Sequence, residues 1–153
     1  MQVIFNKPWS CAVCAAKNGD TISVSLPEHR GTVHFETEIV LRVGPGDSIA
    51  DVTLGLDLTL RDLQKRLKQN SHPWEIGKVF PGAAVIGPWC NLAEQDYLEK
   101  EFTLSIDGKL RQKGLGRDMG LKPIDTIKYI AEKFLVCEGD LIFTGTPAGG
   151  SIL

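Results

Sequence analysis

Residues 34–41 read His34-Phe35-Glu36-Thr37-Glu38-Ile39-Val40-Leu41, an alternation that is typical of a β-strand. Side chains two residues apart on a strand share a face, so Glu36 and Glu38 are expected side by side, with Cα atoms about 7 Å apart. Two such carboxylates repel each other and resist ionising unless a positive group lies between them. A hard divalent cation is one such partner. The alternative is that both glutamates line the solvated face of an antiparallel strand.

The composition is that of an ordinary globular domain, and we expect residues 1–153 to form a single one. A net charge of −2 predicts no nucleic-acid partner, and no apolar run approaches the length of about 20 residues that spans a bilayer, so no membrane partner is expected either. The first residues lack the apolar core of a signal peptide, which favours a cytoplasmic location. Loss of a targeting segment from the N-terminus is compatible with the same observation.

Frequent glycines and prolines predict many short strands and turns, hence a mixed α/β, mainly β fold with a few short helices. Asp107-Gly108 predicts a hairpin with a type I′ turn, and Thr59 is expected to cap the first helix. Apolar patterns predict strands at residues 3–5, 21–26, 34–43, 49–58, 102–106, 109–111 and 141–144, and helices after residue 59 and at residues 123–135.

The four cysteines do not form the pattern of a metal or redox site. Cys11 and Cys14 make a C-x-x-C pair, but Cys90 and Cys137 are too far apart in sequence to supply the second pair of a structural zinc site. We expect buried, reduced thiols.

Three further features indicate chemistry. Asp57 ends a strand just before a helix, where functional residues often gather. Lys78 lies between glycines and prolines, either held charged by a nearby anion or extending from the surface into solvent. The loop at residues 145–150 offers free backbone N–H groups that suit a substrate carboxylate.

Short motifs follow one another along nearly the whole chain: Lys7-Pro8 with Ser10, His34-x-Glu36-x-Glu38, residues 56–64, residues 73–80, Gly87-Pro88-Trp89, residues 107–112, Asp118-Met119 and residues 139–149. In this order they resemble the fumarylacetoacetate hydrolase family, specifically its catalytic C-terminal-type domain. The resemblance implies a β-sandwich or β-roll fold and a bound Mg²⁺ or Mn²⁺. Residue by residue, it implies that Glu36, Glu38 and Asp57 hold the metal.

The resemblance also assigns roles to four residues outside the metal ligands. Lys78 falls on the active-site lysine, while Arg61, Gln64 and Thr146 fall on substrate-contacting positions. The implied substrate is a 2-oxo or β-dicarbonyl acid that chelates the metal, and the implied partner is a second copy of the chain in a homodimer.

The implied activity is acylpyruvate C–C hydrolysis or oxaloacetate decarboxylation through a metal-stabilised enolate. One alternative is isomerisation of an unsaturated 2-hydroxy dioic acid. Another is a metal-binding but catalytically idle homologue that acts by dimerising.

The chain departs from the family pattern at both ends, where it looks shortened. Compared with the family pattern, we expect the segment before Lys7-Pro8 to be missing, and with it a lid whose histidine and glutamate would activate water. Glu28 and His29 precede the glutamate strand, but no motif places them on that lid. The missing final strand would leave a sheet edge open to pairing. These losses weaken hydrolysis relative to decarboxylation.

Overall fold

The computed structural model describes residues 3–91, 94–147 and 151–152. The three helices are short: α1 (Arg61–Gln69), α2 (Glu94–Glu99) and α3 (Pro123–Ala131). The strands are β1 (Ala12–Cys14), β2 (Val33–Phe35), β3 (Thr37–Val43), β4 (Ile49–Asp57), β5 (Thr59–Leu60), β6 (Ala84–Ile86), β7 (Glu101–Ile106), β8 (Lys109–Leu115), β9 (Leu141–Phe143) and β10 (Ser151–Ile152). The expected mixed, mainly β fold with few short helices is confirmed.

A five-stranded sheet in the order β1-β6-β4-β3-β9 forms the centre of the fold. The β1–β6 pair is parallel and the other pairs are antiparallel. A three-stranded sheet in the order β10-β2-β5 and the two-stranded β7–β8 hairpin complete the strand pairing of the described residues. The long β3–β4 pair places Glu38 opposite Gly55, close to Asp57 at the end of β4.

The glutamate strand is not continuous, contrary to the prediction for residues 34–43. Its first part, β2, pairs with β5 and β10, whereas its second part, β3, pairs with β4 and β9. Glu36 lies at the break because the chain crosses from one sheet to the other at this residue. Glu36 and Glu38 therefore do not occupy consecutive positions on one face of a single ladder.

Two clusters of buried apolar side chains lie on either side of this break. Phe35, which is fully buried, belongs to the cluster on the β2 side, and burying a side chain of its size contributes about 2 kcal/mol to stability. The β2 cluster contains Cys11, Val33, Phe35, Leu58, Leu60, Phe80 and Ala83. The β3 cluster contains Ile39, Leu41, Val43, Val52, Tyr97, Phe102, Ile127 and Ile142.

Two predicted strands, residues 3–5 and 21–26, are wrong, because these segments have no strand partner among the described residues. Residues 21–26 nevertheless show the expected alternation: Val24 and Leu26 pack against the β2 cluster, while the residues between them are exposed. In the first segment, the ring of Phe5 packs edge-on against Trp74 with centroids 5.4 Å apart. The period-2 burial of residues 21–26 therefore comes from packing and not from strand pairing.

The helix predictions hold in position but not in their ends. Thr59 does not cap α1, because it lies in β5 and its hydroxyl donates to Glu36. Pro123 opens α3 as expected, but that helix ends at Ala131 rather than residue 135. The hairpin turn is confirmed as type I′: Asp107 and Gly108 have φ angles of 52° and 72°, the left-handed region that such a turn requires.

The cysteine prediction is partly wrong. All four are free thiols, but only Cys11 is buried, while Cys14, Cys90 and Cys137 are exposed. Within the described part of the chain, no helix combines the length and apolar character needed to cross a membrane.

Candidate active site

Three carboxylates converge where β2, β3 and β4 meet. Oxygen atoms of Glu36, Glu38 and Asp57 all lie within 4.8 Å of one another. Glu36 sits at the break between β2 and β3, Glu38 on β3, and Asp57 at the end of β4. The three residues that the sequence singled out as metal ligands are therefore brought together.

Glu38 is the most isolated of the three carboxylates. It is 4% exposed, and Gly145, whose φ of 90° favours glycine, donates its backbone N–H to Oε2 at 2.8 Å. Burial first, and then the negative charge of the neighbouring Asp57, raise the pKa of Glu38 to about 8, against the smaller opposing effect of the Gly145 N–H. No cationic side chain forms an ion pair with Glu38 among the described residues, so the ionised form of this carboxylate would be the least compensated of the three.

Glu36, in contrast, is held by positive groups. Lys78 Nζ lies 2.6 Å from Oε2, and Arg61 Nη2 lies 2.6 Å from Oε1. The Thr59 hydroxyl donates to Oε2 at 3.2 Å. Burial would raise the pKa of Glu36, but Lys78 and Arg61 outweigh it and hold the pKa below its ordinary value.

Asp57 lies between two lysines. Lys78 Nζ is 2.5 Å from Oδ2, and Lys7 Nζ is 2.7 Å from Oδ1. Lys7 also donates to the backbone carbonyls of Leu58 at 3.1 Å and Ala83 at 2.6 Å, which fixes its ammonium group. Burial lowers the pKa of Lys7, although Asp57 opposes the shift. The sequence shows Lys7 as part of the Lys7-Pro8 motif but predicts no role for it.

Lys78 does not extend into solvent. Its side chain is 4% exposed, and its ammonium group joins Glu36 to Asp57 and lies 5.0 Å from the centre of the Phe5 ring. Of the two interpretations of this lysine, the structure supports the one that places it beside anionic groups.

Arg61 and Gln64 lie on the first turn of α1 beside the cluster. Arg61 Nη1 donates to Gln64 Oε1 at 3.0 Å, and the other end of the guanidinium binds Glu36. Gln64 is 5% exposed, whereas the Arg61 side chain is 35% exposed and faces the solvent side of the site. These two bonds connect Gln64 through Arg61 to the carboxylate cluster.

Thr146 lies on the loop that follows β9, but its hydroxyl points into the protein. It donates to the Thr37 carbonyl at 2.8 Å and accepts from Gln112 Nε2 at 2.7 Å. Its only proton is therefore engaged. Residues 148–150 of the predicted glycine-rich loop lie outside the described residues.

Among the described side chains, His29, which no motif places on the lid, is not a member of the carboxylate cluster. Glu28–Arg30 forms a 3₁₀ turn before β2, in which His29 is exposed. The side chain of Glu28 lies outside the described part. Arg30 in the same turn bonds the Ile76 carbonyl.

The donor set fits a divalent cation. Mg²⁺ and Mn²⁺ favour oxygen ligands, and two oxygens on one Mg²⁺ stand at most about 4.2 Å apart. The spread of 4.8 Å requires only a small inward movement of the side chains. Glu38 is buried, and its described hydrogen-bond donor is a backbone N–H. A cation would therefore offset the cost of ionising Glu38 more than that of the other two carboxylates.

A cavity of about 650 Å³ opens beside Glu38 and Asp57 and extends towards α3 and β9. It leaves room for a small organic acid next to the carboxylates. Much of its wall away from them is apolar, including Met119 and Ile130.

A buried cluster of three carboxylates with neighbouring lysines, in a mainly β domain, is a set of groups that could hold a divalent metal ion. The chain belongs to the fumarylacetoacetate hydrolase family: the family model described as Fumarylacetoacetate (FAA) hydrolase C-terminal matches residues 1–151. The family resemblance noted in the sequence is thereby confirmed.

Two curated relatives and one crystal structure illustrate the similarity. Oxaloacetate tautomerase YcgM of Escherichia coli (strain K12) is 32% identical over 159 residues, which cover 96% of this chain and 70% of the relative. The mitochondrial oxaloacetate tautomerase FAHD1 of Arabidopsis thaliana is 35% identical over 160 residues, which cover 96% and 69%. The fumarylpyruvate hydrolase of Pseudomonas aeruginosa, in complex with Mn²⁺ and pyruvate, matches with a TM-score of 0.86 and 32% identity, covering 96% of this chain and 67% of that one.

Proposed function

We propose that this chain catalyses a metal-dependent reaction of a 2-oxo acid that proceeds through an enolate, and that keto–enol tautomerisation of oxaloacetate is the reaction it supports best. The observation that carries the proposal is the cluster of Glu36, Glu38 and Asp57 with the Lys78 ammonium group buried among them. The site roles below belong to the same proposal.

Glu36, Glu38 and Asp57 would hold a Mg²⁺ or Mn²⁺ ion. When bound there, such an ion polarises the 2-oxo group of the substrate and stabilises the negative charge of the enolate. The negative charge of the cluster itself is offset by Lys7, which is anchored to two backbone carbonyls and therefore stays with Asp57.

Lys78 is the proposed catalytic residue. Its ammonium group has three N–H donors, of which Glu36 and Asp57 engage two. The third can meet a substrate oxygen, where it stabilises developing negative charge. Once the neighbouring carbon has lost its proton, Lys78 can give a proton to the enolate oxygen, which forms the enol. The surrounding burial strengthens that interaction, because few water molecules compete.

Arg61 and Gln64 would orient the far carboxylate of the substrate. The Arg61 guanidinium has five N–H donors, and the contacts with Glu36 and Gln64 leave several for a substrate carboxylate. Thr146 would contribute its backbone N–H, because its hydroxyl proton is engaged by Thr37. Fixing both ends of the substrate holds its reacting carbon in one place.

Tautomerisation leads the proposal for two reasons. It moves one proton between carbon and oxygen and requires no activated water. Both curated relatives described above are named oxaloacetate tautomerases.

Hydrolysis of an acylpyruvate is the second candidate, with oxaloacetate decarboxylation as its lyase counterpart. It is favoured by the similarity to a fumarylpyruvate hydrolase that holds Mn²⁺ and pyruvate, since pyruvate is the fragment released when an acylpyruvate is cleaved. Isomerisation of an unsaturated 2-hydroxy dioic acid, and metal binding without turnover, are the other outcomes that the experiment must separate.

The test is a panel of 2-oxo acids assayed with Mg²⁺, with Mn²⁺ and with EDTA. Loss of enol absorbance reports tautomerisation of oxaloacetate, and product analysis by NMR separates it from C–C cleavage, decarboxylation and isomerisation. We expect Asp57→Asn to lower turnover at least about 100-fold. Asp51→Asn is the matched control, because Asp51 lies on the same strand and pairs with Arg42 away from the cluster. Full turnover by Asp57→Asn would contradict the proposal.

We also propose that the chain forms a homodimer. The outer edges of β1 and β9 have no strand partner among the described residues, and such edges favour pairing. Light scattering coupled to gel filtration would give the mass, and a monomer at micromolar concentration would contradict this part.

A further inference from the structure

A closed set of hydrogen bonds joins β8, the start of β3 and the loop after β9. Gln112 on β8 is 2% exposed; its Oε1 accepts from the Thr37 N–H at 3.0 Å, and its Nε2 donates to Thr146 Oγ1 at 2.7 Å. The Thr146 hydroxyl donates in turn to the Thr37 carbonyl at 2.8 Å. Gln112 Nε2 also lies 3.4 Å from the Pro147 carbonyl. A neutral amide can satisfy all these partners at once, because it carries both an acceptor and two donors.

This set of bonds satisfies the backbone groups of Thr37 on the side of β3 that faces away from β4. Thr37 lies between Glu36 and Glu38, beyond the end of the pairing between β3 and β9. Just after β9, the Thr144 N–H makes a backbone–backbone hydrogen bond to β3, with the Ile39 carbonyl. Beyond that point the two backbone groups of Thr37 are satisfied by side chains instead of by a strand. A buried backbone N–H left unpaired would be costly, so the Gln112 amide has a specific task here.

The same bonds control the Glu38 carboxylate. Gly145, which precedes Thr146, donates its N–H to Glu38 Oε2 at 2.8 Å. Any displacement of Thr146 from Thr37 therefore moves the donor that fixes this carboxylate.

We propose that Gln112 is a positioning residue for the candidate metal centre. Its amide holds the loop at residues 144–147 against Thr37, and through that loop it sets the direction of the Glu38 carboxylate. The proposal rests on the proposed function for its metal, but the loop contact itself does not depend on a metal.

The decisive variant is Gln112→Met, which keeps the length of the side chain and removes its hydrogen bonds. Thr146→Val breaks the same set of bonds from the loop side, and Thr146→Ser preserves it. Thr53→Val is the matched control, because Thr53 is also buried and donates to a loop carbonyl, that of Pro88 at 2.8 Å, without touching the loop after β9.

Two measurements are made on each folded variant. Titration of the metal-free protein with Mn²⁺ gives the affinity, and amide hydrogen exchange reports the protection of Thr37 and Gly145. We expect Gln112→Met and Thr146→Val each to weaken Mn²⁺ binding about 10- to 100-fold, as is typical when a group that orients a ligand is lost. Both should also raise exchange at Gly145, whereas Thr53→Val and Thr146→Ser should match the parent in both measurements.

A double variant shows whether Gln112 and Thr146 affect Mn²⁺ binding through the same set of hydrogen bonds or independently. Because Gln112 and Thr146 act in one set of bonds, Gln112→Met with Thr146→Val should bind Mn²⁺ no more weakly than the worse single variant. Parent-like Mn²⁺ affinity and parent-like exchange at Gly145 in Gln112→Met would overturn the proposal. If the parent itself fails to bind Mn²⁺, the proposed function fails, and exchange at Gly145 alone decides whether Gln112 holds the loop.

Discussion

Replacing Glu38 by glutamine is expected to remove a large pH dependence from the stability of the metal-free protein. The Glu38 carboxyl is 4% exposed and its pKa is raised to about 8, so the folded protein keeps it protonated at neutral pH. In the unfolded chain the same group ionises near its ordinary pKa of 4.5. The stability that the protonated form provides is therefore complete below pH 4.5 and is lost as the pH rises towards 8.

The size of the effect follows from the shift. One pKa unit corresponds to about 1.4 kcal/mol, so the loss is about 3 kcal/mol between pH 4.5 and 7 and at most about 5 kcal/mol above pH 8. A glutamine at this position cannot ionise, and its shape is nearly that of the protonated glutamate. The difference in unfolding free energy between parent and Glu38→Gln should therefore change by this amount across the range.

Urea unfolding in EDTA, followed by circular dichroism at several pH values from 4.5 to 8, measures this difference directly. Each protein is compared with the other at the same pH, which cancels the titration of groups that both share. If the two stability curves run parallel between pH 5 and 8, Glu38 is not protonated in the folded protein and the reasoning fails.

Two further predictions concern packing and charge around the site. Lys7→Met should lower the unfolding free energy by about 3 kcal/mol, because it leaves the buried Asp57 carboxylate with one lysine fewer. Lys113→Met removes an exposed ion pair and should lower the unfolding free energy by less than about 1 kcal/mol. Equal losses for the two variants in chemical denaturation would contradict the importance of the buried pair. Gly114→Ala should cost about 1–3 kcal/mol, because the added Cβ would stand 2.6 Å from a proline carbon of the loop after β9 and 2.7 Å from a phenylalanine ring carbon. Gly120→Ala, which meets nothing within 4 Å, is its control, and similar melting temperatures for the two variants would refute the close contact.

The parts of the fold that sequence predicted well depend on local chemistry. The β7–β8 hairpin follows from Asp107-Gly108, since few other dipeptides adopt two successive positive φ angles, and Pro123 marks the start of α3 because its ring fits the first helical turn. Both signals act within a few residues, so no knowledge of the tertiary structure is needed.

The parts that sequence missed depend on distant contacts. Alternation alone cannot show that Glu36 leaves the ladder, because the break arises from two halves of one strand pairing with different sheets. Thr59 has the character of a helix cap, but it is drawn into β5 by pairing with His34. Alternation at residues 21–26 predicts burial correctly and pairing wrongly, since a strand also needs a partner.

The residues that form the site were predictable from the sequence, but the ion pairs between them were not. Glu36, Glu38, Asp57 and Lys78 were identified from spacing and family resemblance, and the structure brings all four together. Lys7 was missed as a member because its partner Asp57 is fifty residues away in sequence, and a lone Lys-Pro pair carries no sign of burial.

The most direct test of the account is calorimetric titration of the metal-free chain with Mn²⁺ at pH 7, in buffers of different ionisation enthalpy. We expect about one Mn²⁺ to bind per chain and to displace about one proton, since Glu38 is protonated at this pH and must ionise to become a ligand. Glu38→Gln should bind more weakly and release no proton, while Asp51→Asn should behave as the parent does. Absence of Mn²⁺ binding by the parent, or equal affinity and proton release in Glu38→Gln, would contradict the claim that these carboxylates form a metal centre.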